Sequence, residues 1–122
     1  MTDEWTSGAN RFDKPDEALF VASVHGVVVG VCDLNVDPYG GDESVGRVRR
    51  LYVLRAYRGR GVGRRLVQAV VSAAAIRRFR MLRVRTENPE AARLYERLGF
   101  RQVAGIADCT QALDLVRAFQ RP

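Results

Sequence analysis

The stretch "RAYRGRGVGRRLV", Arg55 to Val67, places three glycines at alternate positions among five arginines. On its N-terminal side "VRRLYV", Val48 to Val53, belongs to a segment from Val45 to Leu54 that alternates apolar and polar residues, the period of a strand. On its C-terminal side, from Val62, the residues Leu66, Val67, Val70, Val71 and Ala74 recur at helical spacing. Arg64, Arg65, Gln68 and Ser72 fill the other face, so an amphipathic helix is expected, ending near Phe79. A glycine-rich turn between a strand and a helix gathers unpaired backbone N–H groups at the positive end of the helix dipole. Glycine also lets the backbone take positive φ and admits a phosphate without a Cβ in the way. Two familiar cradles do not fit the spacing. No lysine and Ser/Thr follow as GxxxxGK[ST] requires, and the run G-R-G-V-G-R is not GxGxxG.

Outward from this turn the elements repeat a simple order. Ala18 to Val24 and Val27 to Asn35 read as a hairpin closed by His25 and Gly26. "DPYGGDES" is a turn-rich loop leading into the strand from Val45. "MLRVRT", Met81 to Thr86, is a further strand. "NPEAARLYERLGF" then spells a helix, with Asn88 as N-cap, Pro89 in the first turn and Gly99 in the left-handed position after the last. Ala91, Leu94, Tyr95 and Leu98 make its buried stripe. "FRQVAGI" and "ALDLVRAF" read as two closing strands. The pattern predicts an α/β (α+β) domain with a mixed, mostly antiparallel twisted sheet and flanking helices. One domain is expected over residues 1–122, with residues 1–17 irregular.

At 122 residues the chain can bury its own core, and 47% hydrophobic with 28% charged residues describes an ordinary globular protein. No apolar run reaches membrane-spanning length, and "MTDEWTSGANRFDKPDEALF" has neither the basic start nor the apolar stretch of a signal peptide; the expectation is a cytoplasmic protein. Cys32 and Cys109 are far apart, and His25 is the only histidine, so no metal site is expected. The net charge of +6, carried almost wholly by arginine, favours anionic partners. The arginines are dispersed over several elements without interleaved aromatics, which argues against nucleic-acid binding. Arg49 and Arg50, neighbours on a strand, are expected on opposite faces.

"RGRGVG", Arg58 to Gly63, also fits the pattern R/Q-x-x-G-x-G/A. With "VRRLYV" before it, "GRRLVQAVV" after it and the later "NPEAARLYERLGF", the chain resembles the GNAT superfamily of N-acetyltransferases from about Ala18 to its end. The resemblance implies acetyl-CoA as acyl donor, bound in a wedge between the strands Val48–Val53 and Met81–Thr86. It implies that backbone groups of Leu51, Tyr52 and Val53 pair with the pantetheine arm, and that Gly59, Arg60, Gly61, Val62, Gly63 and Arg64, with Arg58 opening the motif, hold the pyrophosphate. Arg58, Gly61 and Gly63 are the positions the pattern requires; Gly59 is not. Asn88 would bond the cofactor near the thioester, and Tyr95 would protonate the departing thiolate.

Family members often carry a glutamate base three residues before the position of Arg50; this chain has Arg47. The candidates for the base are Glu87, placed first, then Asp33, His25 or a water chain. The family also places a strand and one or two helices ahead of the equivalent of "ALFVASV". A shorter lead here implies a start placed too far downstream, or an acceptor wall supplied by another subunit, and a bare sheet edge suited to a homodimer. The function implied is acetyl transfer to a primary amine of a small molecule or peptide. The alternative is a catalytically degenerate domain that binds acyl-CoA as a sensor or interaction module.

Overall fold

The structure, a computed structural model, describes residues 10–11 and 17–119. Seven strands form one sheet in the order β1-β2-β3-β4-β5-β7-β6. They are β1 (Asn10–Arg11), β2 (Ala18–Val24), β3 (Val27–Val36), β4 (Val45–Val53), β5 (Met81–Val84), β6 (Arg101–Gln102) and β7 (Gln111–Asp114). The helices are α1 (Val62–Ile76), α2 (Pro89–Arg97) and α3 (Leu115–Phe119). Every pairing is antiparallel except β4 with β5, which α1 connects. The β2–β3 turn holds His25 and Gly26 at φ of 50° and 78°, the geometry a tight two-residue hairpin needs.

Side-chain alternation splits the sheet into two unlike faces. Ala18, Phe20, Ala22, Cys32, Leu34, Val48, Leu82 and Val84 pack in one core with Val62, Leu66, Val67, Val70 and Ala74 of α1 and Tyr95 of α2. The other face carries Asp33, Asn35, Asp37, Arg47, Arg49 and Arg83. Of these Asp33, Asn35, Asp37 and Arg47 are buried polar residues.

Four expectations need correction. "ALDLVRAF" is not one strand: β7 stops at Asp114, whose Oδ1 accepts from the Arg117 amide at 3.0 Å and starts α3. An aspartate in that position offers the backbone a helix cap that ends the ladder. "FRQVAGI" is extended only at Arg101–Gln102 and is broken by Gly105, at φ 75°. The helix from Val62 ends at Ile76, not Phe79. Arg78 takes φ 65°, and the amides of Arg78 and Phe79 turn back to Ala75 O and Ala74 O. That is a Schellman stop with arginine where glycine is usual, and it returns Phe79 to the core. The edge of β2 is also not bare along its whole length, since Asn10 and Arg11 pair with Leu19 and Ala18. Residues 1–9 and 12–16 of the N-terminal segment lie outside the described residues.

Candidate active site

β4 and β5 pair only at Val45–Arg47 with Met81–Arg83. β4 then continues to Val53 bonded to β3 alone, while β5 leans to β7, so the two strands part like a wedge. A cleft of about 310 Å³ fills the opening. Its lining includes Val48, Leu51, Val84, Ala91, Asn88 and Tyr95, with Arg47, Arg49, Arg50, Arg85, Thr86 and Asp108 on the polar side.

The edge of β4 that faces the cleft is set by a bulge. Asp33 lies opposite Arg49 and Val31 opposite Tyr52, so Cys32 faces two residues, Arg50 and Leu51. Arg50 absorbs the extra residue at φ 53°, a left-handed conformation that costs energy for any residue bearing a Cβ. The bulge corrects the expectation for Arg49 and Arg50. Arg50 Nε reaches Asp33 Oδ2 at 2.7 Å, so both arginines come to the polar face and both line the cleft. Beyond the bulge the Leu54 amide donates to Val29 O, and alternation turns the peptide groups of Leu51 and Val53 to the open edge and those of Tyr52 toward Val31. Tyr52 presents its ring instead, under the Arg58 guanidinium at 5.8 Å.

At the end of the wedge sits the glycine turn. Arg58 Nε donates to Val53 O at 3.0 Å, tying the turn to β4. Gly59 and Gly61 take φ of 78° and 82°, and a Cβ on either would meet nothing within 4 Å. The backbone at Gly59 thus favours glycine, although the family pattern does not ask for one there. Gly61 starts α1 without a side-chain cap, and the first intrahelical bond is from Arg65 N to Gly61 O, which leaves the amides of Val62, Gly63 and Arg64 ahead of the ladder. Gly63 serves packing: a Cβ there would lie 3.3 Å from Leu94 Cδ2 of α2. Arg60 stacks over Tyr57 at 5.3 Å. An open, uncapped helix start beside two left-handed glycines suits a diphosphate.

On the opposite wall Asn88 caps α2, its Oδ1 accepting from Glu90 N at 2.9 Å, and lines the cleft. Tyr95 is 3% exposed and tilts against Phe100 at a centroid distance of 5.3 Å, and its hydroxyl makes no hydrogen bond to a described residue. Burial, with the neighbouring Cys32, pushes its hydroxyl above the ordinary phenol value, so it stays protonated. Burial likewise pushes Cys32 up to about 12. Glu87 is at the rim. Its side chain is 79% exposed, pairs with Arg85 at 2.8 Å, and is not part of the cleft lining. Asp33 is buried against Arg50; burial raises its carboxyl above the usual range, against the pull of Arg50 and Arg49. His25 sits in the β2–β3 turn, away from the lining residues.

Sequence reasoning missed the ion-pair network at the vertex of the wedge. Asp37 meets Arg47 at 3.5 Å and Arg83 at 3.4 Å, and Asp108 meets Arg47 at 2.7 Å and Arg85 at 3.2 Å. Arg47, in place of an acidic base, is thus a buried structural cation. Asp108 lies in an aperiodic stretch and takes φ 51°, so no sequence pattern announced it. Among the described residues no group of His, Cys, Asp and Glu could hold a metal, and no helix is long and apolar enough to cross a membrane.

Comparison with known proteins agrees with this geometry. The family model for the GNAT acetyltransferases matches residues 2–100. The uncharacterized N-acetyltransferase YjgM of Escherichia coli is 30% identical over 106 residues, covering 84% of this chain and 62% of that protein. A crystal structure from Exiguobacterium sp. 255-15, classed as an acetyltransferase, superposes with a TM-score of 0.75 at 29% identity, over 90% of this chain and 72% of that one. The Salmonella typhimurium protein yncA, solved with its cofactor acetyl-CoA, shares the fold at 21% identity and a TM-score of 0.70, over 81% of this chain and 65% of that one. The chain spans 41 to 62% of the length of the curated relatives it matches. With the splayed strands, the glycine turn and a family match over most of its length, the chain belongs to the GNAT acetyltransferase family.

Proposed function

We propose that the chain is an N-acetyltransferase that moves the acetyl group of acetyl-CoA to a primary amine of a small molecule or peptide by direct attack. The observation that carries this reading is the wedge between β4 and β5, ending on an uncapped helix start with glycines at positive φ. Acetyl-CoA, when bound, supplies an activated thioester. Leu51 and Val53 offer backbone groups to an extended arm as a neighbouring strand would. The amides of Gly59 to Arg64 and the charge of Arg58, Arg60 and Arg64 hold the diphosphate. Asn88 orients the arm from the α2 side while capping its own helix, and the two uses need different atoms of its amide.

The bulged edge of β4 provides N–H groups that polarise a carbonyl in a site screened from water on one side. Tyr95, protonated and buried, is placed to give its proton to the leaving sulfur. An alkyl ammonium, with a reference pKa of about 10.4, must lose a proton before it attacks. Glu87 takes that proton through water, because its carboxylate faces out of the cleft beside Arg85. The two free cysteines suit a reducing compartment such as the cytoplasm.

The test is a thermal melt with acetyl-CoA, with CoA and with a short DNA duplex, followed by thiol release over a panel of amines. A rise with both CoA species and thiol release with some amines is expected. A rise without release from any amine would select the CoA-binding sensor instead, and no response to CoA would overturn both readings.

A further inference from the structure

The cleft is lined by four arginines, Arg47, Arg49, Arg50 and Arg85, against one carboxylate, Asp108. Their engagement is unequal. Arg47 is 8% exposed and is consumed by Asp37 and Asp108; Arg85 is held by Glu87 and Asp108. Arg50 touches Asp33 through Nε and remains 65% exposed. Arg49 is exposed, and its side chain acts on Asp33 only through its field, with no hydrogen bond or ion pair to a described residue. The left-handed backbone at Arg50 brings these two guanidiniums to one face, at the mouth of the cleft. A regular strand would have sent them to opposite faces without that strain. Arg47 Nη1, buried deeper in the same wall, faces Asp37 Oδ1 at 3.5 Å as an ion pair without a closer hydrogen bond, so it is not free for a ligand.

From this geometry we propose that the acceptor is an amine bearing a carboxylate close to its amino group, as a free amino acid does, with Arg49 and Arg50 holding the carboxylate. The assignment rests on the acetyltransferase reading of the same cleft. Guanidinium pairs bind carboxylates in a planar, bidentate fashion and fix the bound molecule's orientation as well as its charge. The carboxylate anchored there leaves the amine to approach the thioester. The ammonium gives one proton through water to Glu87, the C–N bond forms as the C–S bond breaks, and the sulfur takes a proton from Tyr95, which regains one from the nitrogen. A cationic amine without a carboxylate meets an excess of like charge, because the one lining carboxylate, Asp108, is already held by Arg47 and Arg85.

The experiment measures thiol release from acetyl-CoA with matched pairs: L-methionine against 3-(methylthio)propylamine, and L-phenylalanine against phenethylamine. The amino acid is expected to have a kcat/KM at least ten-fold above its decarboxylated partner. In Arg49→Gln that ratio should fall at least ten-fold, through KM, and Arg49→Lys should restore part of it. Equal or better turnover of the decarboxylated amines, or an unmoved ratio in Arg49→Gln, would overturn the assignment. Calorimetric titration of the CoA-loaded protein with the same pairs reads the preference without turnover. Tighter binding of the amino acids with no thiol release would sink the acetyltransferase reading and keep the carboxylate site, whereas no preference in binding would sink the site itself.

Discussion

Tyr95 shows how one side chain carries two demands. It sits on the buried stripe of α2, where most tyrosines only pack, yet its ring also lines the cleft. Tyr95→Phe keeps the contact with Phe100 and loses the proton. We expect kcat to fall about 10²-fold, the low end for a general acid because a thiolate leaves readily, with the melting temperature little changed. Burial raises the Tyr95 hydroxyl, so the folded state holds this proton more tightly than the unfolded one. The stability it contributes is complete below the unfolded pKa of about 10 and is lost as pH rises beyond it. The pH–rate profile should therefore climb as the acceptor amine deprotonates, with no fall assignable to Tyr95 below about pH 10. The same profile tests Glu87. Glu87→Gln should lower kcat, and a profile identical to the parent's would pass the base role to solvent alone.

At the scale of the element, the glycine turn separates conformational from packing uses of one residue type. Gly61 needs its φ of 82° and has open space where a Cβ would stand, while Gly63 lies in α1 with Leu94 Cδ2 3.3 Å from that position. Gly61→Ala should cost about 1–2 kcal/mol from left-handed backbone strain and weaken CoA binding, because the helix start shifts. Gly63→Ala should stay nearly neutral, the gain in helix propensity offsetting a small move of a terminal methyl. Melting curves with and without CoA distinguish the two, and equal losses would contradict this division. The same contrast explains what was legible beforehand. Periodicity and punctuation placed α1, α2 and the β2–β3 hairpin, because Asn88, Pro89 and Gly99 act locally. The bulge at Arg50, the stop at Arg78 and the break at Asp114 were illegible as sequence. An arginine at positive φ gives no pattern, and the Asp114 cap competes with a ladder whose partners lie far along the chain.

Across the whole molecule, the polar face of the sheet is a second organising centre beside the apolar core. Asp37 after β3 holds Arg47 of β4 and Arg83 of β5, and Asp108 from the β6–β7 loop closes on Arg47. These contacts lock the vertex from which β4 and β5 diverge. Glycine motifs could name the cofactor end of the cleft, but this network joins residues far apart in sequence and is visible only once folded. Its removal is informative because Asp37 is wholly buried, with two arginines 8% and 14% exposed facing it. Asp37→Asn leaves both without their shared counter-charge, and only Arg47 retains Asp108. Breaking a buried pair typically costs 3–5 kcal/mol, and the remaining aspartate places this case at about 3. For a domain of this size that corresponds to a fall in Tm of roughly 10 °C. Asp42→Asn, in an exposed pair with Arg80 at 3.8 Å, should shift it by no more than about 1–2 °C. Thermal unfolding in low and high salt checks both. The Asp37 effect should persist in high salt, where surface pairs are screened. Comparable small shifts for the two variants would show that the wedge is held by the apolar core alone.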